Sequence, residues 1–446
     1  MSKIYDNTLY YKALRLVVGF TFKRFFRQIE IRGTENIPSG EPLIFAANHQ
    51  NALLDPLAIL FYQSEPILFM ARADMFQNKL VAKILRSFKI APIYRIRDGF
   101  ENLSKNEEQM NEAVDVLLNH RQLCLMPEGN HGHQHKLRPL VKGLFRIACS
   151  AEDALNGESH VKIIPVGIDY NYFQHAGSDL VVTYGKTIEV KDYIELYKDN
   201  TANCLNVLRD RLSAELSPLM HDIKSTNHYD LIYRMSCYGT PAYLDYLLDQ
   251  GDETEATTMA GLRFDARCAL SRILDRIDVE NPEKLLELDL LCQQFRKLPG
   301  SPAEVTEWLD VNHFKGYSNL LIVFSILLIP GFLMNAPTWY ITKKICSNVD
   351  DTQMRSTFAF VVGMLLNGLI YVVLTVVLAY FFSSSFLMFL CLLIFVTSYG
   401  LVSERARQSL RLPLRRLFFS FGKRKDLLNA CKNDFQIFKK SITKLF

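Results

Sequence analysis

The chain has 446 residues, of which 49% are apolar and 22% are charged, so its composition is that of a folded protein and not of a disordered one. Its 51 basic and 47 acidic side chains nearly balance, which argues against a general nucleic-acid-binding protein. Nine cysteines are scattered without a Cys-x-x-Cys pair, a pattern that argues against zinc fingers and disulfide scaffolds and favours reduced thiols. The first residues lack the apolar stretch of a signal peptide, and we expect none.

Residues 1–28 are predicted to contain an amphipathic helix, near 8–27. A basic helix rich in phenylalanine suits a membrane interface, and the sequence predicts this location for it. Packing of the same apolar side against the body of the protein is the alternative that the sequence leaves open. The apolar side holds Leu14, Val18, Phe22 and Phe25, and the basic side holds Lys12, Lys23 and Arg27.

Short β-rich runs alternate with helical stretches between residues 29 and 190. This alternation predicts an α/β domain, with a mixed sheet layered with helices. Residues 191–316 look mostly helical and polar, and they carry no chemical motif that we recognise. The strands are predicted at 42–47, 66–71, 122–126, 162–166 and 180–184, and the helices near 56–62, 78–88, 106–119 and 142–154.

The C-terminal part contains two long segments without any charged residue, between Lys315 and Lys343 and between Arg355 and Glu404. A helix needs about 20 apolar residues to cross a bilayer. Uncharged runs of this length favour membrane insertion over a pair of buried core helices. We therefore predict a membrane region at 317–403, with a hairpin at 320–341 and spans at 356–382 and 386–402, followed by a basic tail at 404–446.

The first polar constellation follows the strand at 42–47. His49 stands at the mouth of the strand, and Asp55 stands just before a helix. A carboxylate that accepts a hydrogen bond from one imidazole nitrogen fixes the tautomer, so that the other nitrogen can take a proton from a hydroxyl. Alternatively, Asp55 is a helix N-cap with Pro56 at the first helical position, and both roles are compatible.

Three further segments carry residues of interest. Arg95 and Arg97 alternate on an extended segment, which suits either a phosphate or a solvated edge. Glu128 and Gly129 follow a strand, at the edge where open α/β sheets usually bind ligands. Lys142 precedes a predicted helix, whose N-terminus favours an anion. The strand at 163–167 contains a proline and a glycine but no reactive group, and it is interpreted as a wall of the site.

These four blocks, in this order, resemble the glycerol-phosphate acyltransferase superfamily, which includes the lysophosphatidate acyltransferases. Five residues separate His49 from Asp55, where most of that superfamily has four. The longer spacing is similar to the yeast-type branch of glycerol-phosphate and dihydroxyacetone-phosphate acyltransferases, although Ala176-Gly177-Ser178 departs from that branch. The resemblance extends over roughly residues 29–190, with its blocks at 48–55, 92–95, 126–129 and 164–167.

The resemblance implies an O-acyltransferase of phospholipid biosynthesis. A hydroxyl of glycerol 3-phosphate or of a lysophospholipid would attack an acyl thioester and release CoA or acyl carrier protein, with no cofactor, metal or covalent acyl-enzyme. Membrane lipids, the acyl donor and the glycerol-phosphate acceptor would be its partners. The implied roles are general base for His49, orientation of that base for Asp55, phosphate binding for Arg95, shaping of the acceptor pocket for Glu128 and Gly129, and a further phosphate contact for Lys142.

This function also implies a topology. Acyl thioesters are made in the cytoplasm, so the catalytic domain should face it, and the basic tail should remain on the same side. Both ends on one side require an even number of crossings. The segment 320–341 is broken by Pro330-Gly331 and weakened by Pro337, so we expect it to be a re-entrant or interfacial hairpin.

Two other functions are compatible with parts of the sequence. The alternating His131, His133 and His135 would share a face on a strand and could bind a metal together with His49. However, the polar, glycine-containing run around them favours a solvated loop. An inactive lipid-binding or membrane-shaping protein is the second possibility, and the joint presence of all four blocks argues against it.

Overall fold

The computed structural model describes residues 8–93, 103–172, 176–250, 256–310, 325–382, 385–419 and 423–446. The chain forms two compact units, each assembled from separate stretches of sequence. Unit 1 consists of Met1–Phe22, Glu30–Asp169 and Val181–Asp222, and unit 2 consists of Lys23–Ile29, Tyr170–Leu180 and Ile223–Phe446.

An eight-stranded sheet, in the order β1-β7-β6-β2-β5-β3-β4, organises the first half of the chain, and β8 pairs with β6. The central strands are parallel, whereas β8 runs antiparallel, so the sheet is mixed as predicted. The strands are β1 (Gln28–Arg32), β2 (Leu43–Ala47), β3 (Ile67–Arg72), β4 (Ile90–Ile93), β5 (Gln122–Leu125), β6 (Lys162–Tyr170), β7 (Asp179–Tyr184) and β8 (Ile188–Glu189).

Helices cover this sheet, and their apolar sides form its core. All five residues of β2 are buried, which explains the unbroken apolar run, because a parallel strand is covered on both faces. α4, α5 and α7 bury their apolar sides in one cluster with β2 and β5. The helices are α1 (Leu9–Phe25), α2 (Leu54–Leu60), α3 (Lys79–Ser87), α4 (Leu103–Leu118), α5 (Gly143–Leu155), α6 (Ile194–Asp199) and α7 (Thr201–Leu216).

The N-terminal helix α1 has two apolar sides. Val18 and Phe22 are buried, and the ring of Phe22 lies 5.3 Å from that of Phe61. The predicted apolar side therefore packs in part against the protein. Leu16 and Val17 are 75% and 61% exposed on the other side of the helix. These exposed residues, and not Val18 and Phe22, are the ones available to a membrane interface.

Unit 2 contains a bundle of helices with its own core. α8 (Tyr229–Gln250), α9 (Met259–Glu280), α10 (Pro282–Cys292) and α11 (Pro302–Leu309) form the polar, helical region that the sequence predicts. The final helix, α15 (Lys423–Ile442), contributes buried side chains to the same core. The end of the predicted basic tail is thus a packed helix, because it buries one apolar stripe. That stripe consists of Leu428, Cys431, Phe435, Phe438 and Ile442.

Three apolar helices precede α15: α12 (Ile329–Ser347), α13 (Thr352–Phe382) and α14 (Phe386–Phe419). α13 and α14 are long and apolar enough to cross a membrane, and only 11% and 17% of their most apolar stretches is buried inside the protein. A core helix of a soluble protein would be mostly buried. Both predicted segments thus lie in helices long and apolar enough to span a membrane, and α14 continues 17 residues beyond the predicted end at 402.

The predicted hairpin at 320–341 is only partly within the described residues, since 311–324 lie outside them. The described part contains no turn at Pro330, and the hairpin as a whole stays a prediction. Pro330 lies in the first turn of α12, where its missing N–H costs no helical hydrogen bond, and the helix continues through Pro337. Asn335 anchors this helix, since its side chain donates to the carbonyl of Gly400 and accepts from the Tyr371 hydroxyl.

Candidate active site

His49 and Asp55 meet at the carboxyl end of β2. The His49 Nδ1 lies 2.8 Å from the Asp55 Oδ2. The Asp55 side chain is fully buried, whereas 17% of the His49 side chain is exposed. A buried carboxylate against Nδ1 selects the tautomer with its proton on Nδ1. The Nε2 lone pair is then available as a base at the partly open side of the ring.

The turn between these two residues fixes the carboxylate. The same Asp55 Oδ2 accepts the backbone N–H groups of Gln50 and Asn51, at 2.8 and 2.7 Å. The first turn of α2 contains Asp55, whereas its N-cap position is occupied by Leu53. The predicted N-cap role was therefore wrong. The five-residue spacing makes a loop that turns the carboxylate back toward His49, and Ala52 takes a positive φ of 29° within it.

Glu128 is joined to His49 through the backbone. Its Oε1 accepts the His49 N–H at 3.0 Å, and its Oε2 pairs with the Arg138 guanidinium. Burial raises the pKa of Glu128, and the charge of Arg138 and the His49 N–H partly oppose that rise. Arg138 also donates to the carbonyls of His49, at 3.2 Å, and of Asn130. The loop after β5 therefore holds the backbone on both sides of the imidazole-bearing Cα.

Gly129 and Lys142 lie at the two ends of this loop. Gly129 adopts φ +68°, a left-handed conformation that glycine takes without strain. A Cβ there would touch Val141, whose N–H donates to the Pro127 carbonyl at 2.7 Å. Lys142 is the N-cap residue of α5, directly after Val141. The chain path therefore brings Lys142 back to the Glu128–Gly129 turn.

The buried strand β6 forms the neighbouring wall. The Asn48 side chain donates to the Ile168 carbonyl at 2.9 Å and accepts the Ile168 N–H at 2.7 Å. This amide extends the pairing of β2 with β6 one step beyond the strand. Arg95, the predicted phosphate ligand, lies outside the described residues.

Residues 28–169 match the Acyltransferase family model. This stretch is thus similar to an acyltransferase domain, and it contains β1 to β5, most of β6 and the His49–Asp55 pair.

Two individual proteins show how far the likeness extends. A Caenorhabditis elegans protein provisionally named 1-acyl-sn-glycerol-3-phosphate acyltransferase is 24% identical over 206 residues, which are 43% of this chain and 72% of the relative. The crystal structure of the 1-acyl-sn-glycerophosphate acyltransferase PlsC from Thermotoga maritima is 19% identical, with a TM-score of 0.34, and covers 45% of this chain and 78% of that one.

Two residues that fix the backbone around His49 have structural roles that the sequence does not indicate. Asn48 was seen only as a neighbour of the histidine, although a buried amide directly after a strand signals a bridge to the next strand. Arg138 is one of several basic residues shortly before α5, a pattern that suggests an anion site and not a salt bridge. Its position ten residues after Glu128 gives no sign of their pairing, because the path of the loop alone brings them together.

The three alternating histidines of the acyltransferase domain do not form one set. Their segment is an irregular loop, so the alternation expected of a strand does not apply. The His131 ring lies 5.5 Å from that of His49, and His133 is exposed. His135 is 2% exposed and lies beside Asp169. The alternative in which His131, His133 and His135 share one face of a strand is therefore wrong, whereas the loop that the sequence favours is present.

Proposed function

We propose that this protein transfers a fatty acyl group from an acyl thioester to a hydroxyl of glycerol 3-phosphate or of a lysophospholipid, in phospholipid biosynthesis. The observation that carries the proposal is the 2.8 Å contact of His49 with the buried carboxylate of Asp55, inside a domain that matches the Acyltransferase family. The names of the two similar proteins support a glycerophosphate-type acceptor.

The chemistry needs one base. The His49 Nε2 takes the proton of the acceptor hydroxyl while its oxygen attacks the thioester carbonyl. Asp55 holds the imidazole in place and stabilises the imidazolium that forms. The carbon–sulfur bond then breaks, and the imidazolium returns its proton to the leaving thiolate. An ester and a free thiol, on CoA or acyl carrier protein, are the products, and no covalent acyl-enzyme forms.

In this proposal the roles of Glu128, Gly129 and Arg138 are to position and shape the site. Arg138 is paired with Glu128, so it positions the His49 backbone and leaves the acceptor phosphate to other cations. Arg95 is the proposed phosphate ligand, and Lys142 is a second candidate at the N-terminus of α5, where the helix dipole favours an anion. Glu128 and Gly129 shape the acceptor side of the pocket.

The lipid product explains the C-terminal helices in this proposal. α13 and α14 would hold the enzyme at the bilayer, where a lysophospholipid or phosphatidate resides, and the catalytic domain would face the cytoplasmic pool of acyl thioester. The exposed side of α1 would lie at the interface, because Leu16 and Val17 point away from the body of unit 1.

Turnover by the full chain in phospholipid nanodiscs tests the proposal. Labelled acyl-CoA and acyl carrier protein are each offered with glycerol 3-phosphate, dihydroxyacetone phosphate or a lysophospholipid, and lipid products are separated by thin-layer chromatography. His49→Ala should lower kcat by about 10²–10⁴-fold, the usual contribution of a general base. His160→Ala is the matched control, since its Nδ1 contacts Glu152 at 2.8 Å in the same domain, away from Asp55.

Two results would contradict the proposal. Retention of more than about a tenth of the wild-type rate by His49→Ala would exclude the proposed base. Absence of turnover with every donor and acceptor, in a folded wild-type sample that binds lipid, would instead support an inactive lipid-binding protein.

A further inference from the structure

A second cluster of ligand-type side chains lies in unit 1, apart from the His49–Asp55 pair. His135, Asp169 and His221 are 2%, 1% and 0% exposed. One nitrogen or oxygen from each lies within 4.8 Å of the others. The His135 Nδ1 is 3.2 Å from the Asp169 Oδ1, and the His135 and His221 rings are 4.8 Å apart and tilted by 43°. Three donor atoms from three distant parts of the sequence thus converge in the interior.

The three side chains converge at the end of β6. Asp169 is the penultimate residue of the strand, and Gly167 precedes it on the same side. A Cβ on Gly167 would lie 2.0 Å from the Leu219 carbonyl oxygen, so only glycine lets the 217–222 segment approach this closely. His221 follows Leu219 by two residues and therefore lies close to Asp169.

A second tether brings in the loop that carries His135. The Asp222 carboxylate accepts the Leu137 N–H at 2.9 Å and the Ser217 hydroxyl at 2.7 Å. The 217–222 segment and the 135–137 segment are thus fixed to each other by hydrogen bonds outside the cluster. This separate framework fixes the backbones from which the three candidate ligands project.

We propose that His135, Asp169 and His221 bind a divalent transition-metal ion of the zinc type. Two imidazoles and one carboxylate are ligands that zinc prefers, and a tetrahedral site with zinc–ligand bonds of about 2.0–2.1 Å has ligand atoms about 3.3 Å apart. The His135–Asp169 separation of 3.2 Å meets this requirement. The three ligand atoms lie within 4.8 Å of one another, so the longer separations must shorten on binding, by rotation of the side chains. Water or a further ligand takes the fourth position.

The bound ion has a structural role in this proposal. His135 belongs to the same loop as Glu128 and Arg138, which hold the His49 backbone. Asp169 follows Ile168, to which the Asn48 amide is bonded. The ion therefore fastens the loop to β6 and to the 217–222 segment, near the groups that position His49. The proposed site binds its ion whether or not the domain transfers acyl groups.

Metal content of the full chain tests the site directly. The protein is purified in nanodiscs without a histidine tag, incubated with zinc, desalted and analysed by inductively coupled plasma mass spectrometry. We expect about one zinc per chain in the wild type and less than about a tenth in Asp169→Ala and His221→Ala. His133→Ala is the matched control, because it removes an exposed histidine from the same loop and should keep its zinc.

Spectroscopy of the wild type adds a test that does not depend on how well the variants fold. X-ray absorption of the wild-type zinc form should show only nitrogen and oxygen ligands, at about 2.0–2.1 Å, with the outer scattering of imidazole. His221→Cys should keep the ion and add one sulfur ligand at about 2.3 Å. Chelation should lower the midpoint of thermal unfolding of the wild type and leave that of Asp169→Ala unchanged.

Several results would overturn the site. Wild-type protein that carries less than about a tenth of an equivalent after incubation with zinc, or sulfur ligands in the wild type, would mean that the three side chains only pack against one another. Zinc retained by Asp169→Ala and His221→Ala together would place the ion elsewhere. A different first-row divalent ion that is lost with the same two variants would support the site.

Discussion

A single carboxylate, that of Glu128, connects the residue that bears the imidazole to the partly exposed Arg138. Its titration should be visible in the stability of the protein. Burial raises the pKa of Glu128 above its ordinary value of 4.5, so in the window above 4.5 the folded protein binds more protons than the unfolded chain. Stability attributable to Glu128 must therefore fall as pH rises through that window and level off above the raised pKa.

Glu128→Gln removes this titration. The amide still accepts the His49 N–H, but it no longer pairs with Arg138. We expect the thermal midpoint of the variant, relative to wild type, to increase between pH 4.5 and the raised pKa and then stay constant. Differential scanning measurements of both proteins from pH 4 to 7 check this. A difference that decreases with pH would mean that Arg138 outweighs burial at this carboxylate.

Arg95 is the residue that should separate binding of the acceptor from binding of the donor. Arg95→Ala loses a charge-assisted contact worth roughly 1.5–3 kcal/mol, so the acceptor KM should rise about 10- to 150-fold with little change in the donor KM. Arg95→Lys should recover only part of the loss, since a point charge replaces a two-pronged donor.

The matched control for Arg95 is Arg121→Ala. Arg121 contacts Glu65 at 3.4 Å on the surface of unit 1, and both side chains are about half exposed. It should leave both KM values unchanged. If Arg95→Ala raises only the donor KM, Arg95 binds the phosphates of the acyl carrier and not that of the acceptor.

At this scale the sequence predicts local pairs better than distant ones. His49 and Asp55 are joined by one turn, so their spacing sufficed to predict a contact that the structure places at 2.8 Å. Glu128 and Arg138 depend on the course of an irregular loop, which has no periodicity to read. The His135 environment depends on Asp169 and His221, 34 and 86 residues away, and no local pattern signals it.

Between elements, unit 2 is held by a buried ion network rather than by apolar contact alone. Arg27, which follows α1, donates from Nε to the Asp179 carboxylate at 2.7 Å and from Nη1 to Glu307 of α11 at 2.7 Å. Arg263 of α9 lies 3.2 Å from Asp179. Burial alone would raise the pKa of Asp179, but the hydrogen bonds and charge of Arg27, together with the neighbouring arginines, hold it below its usual value.

Arg27→Ala should destabilise unit 2 by about 3–5 kcal/mol, because Asp179 and Glu307 would lose the cation that they share. Denaturant titration followed by limited proteolysis measures this change. Arg211→Ala, which breaks an exposed pair with Glu215 on α7, should cost less than about 1 kcal/mol. An equally small effect of Arg27→Ala would show that Arg263 and Arg267 neutralise both carboxylates without it.

The pH dependence of this network has the opposite sign to that of Glu128. The folded pKa of Asp179 is depressed, so its contribution to stability is present above the unfolded value of 3.8 and is lost as pH falls through the folded pKa. The Arg27→Ala penalty should accordingly shrink toward low pH.

The last helix, α15, has a buried apolar side that its many charges do not reveal. α15 carries several lysines, which made the C-terminus look like a solvated tail. Its buried residues recur at intervals of three and four, which is the pattern of one apolar side of a helix. Phe435 and Phe438 are fully buried, whereas Ile437 between them is 52% exposed. This periodicity can be recognised in the sequence. The core of unit 2 against which the apolar side packs cannot.

For the whole molecule, linear boundaries describe the fold only in part. Residues 23–29 and 170–180 belong to the same unit as the C-terminal half, although they flank strands of the sheet. A division of the sequence into consecutive domains cannot describe units that are assembled from separate stretches. Composition shows where the sequence changes along the chain, but it does not show which stretches pack together. The two long apolar helices are easier to predict, since the absence of charge over 20 or more residues is a local property.

The connection between α13 and α14 makes the topology testable. α13 ends at Phe382 and α14 begins at Phe386, so two spans joined by so short a link return the chain to the side from which it came. The residues after α14 should then face the cytoplasm with the catalytic domain, as their basic charge also favours. α12 lies before the pair, and we expect it not to cross.

Cysteine labelling on intact cells measures this arrangement. Seven of the nine native cysteines are buried, so only Cys346 and Cys391 need replacement before single cysteines are introduced at Ser347, Ser384 and Ser441. An impermeant maleimide should label only Ser384→Cys, in the link between the two spans. Ser347→Cys is the decisive comparison, because Ser347 is exposed at the end of α12. Labelling there would mean that α12 crosses the membrane, whereas labelling of Ser441→Cys would put α15, and the core it completes in unit 2, on the outer side.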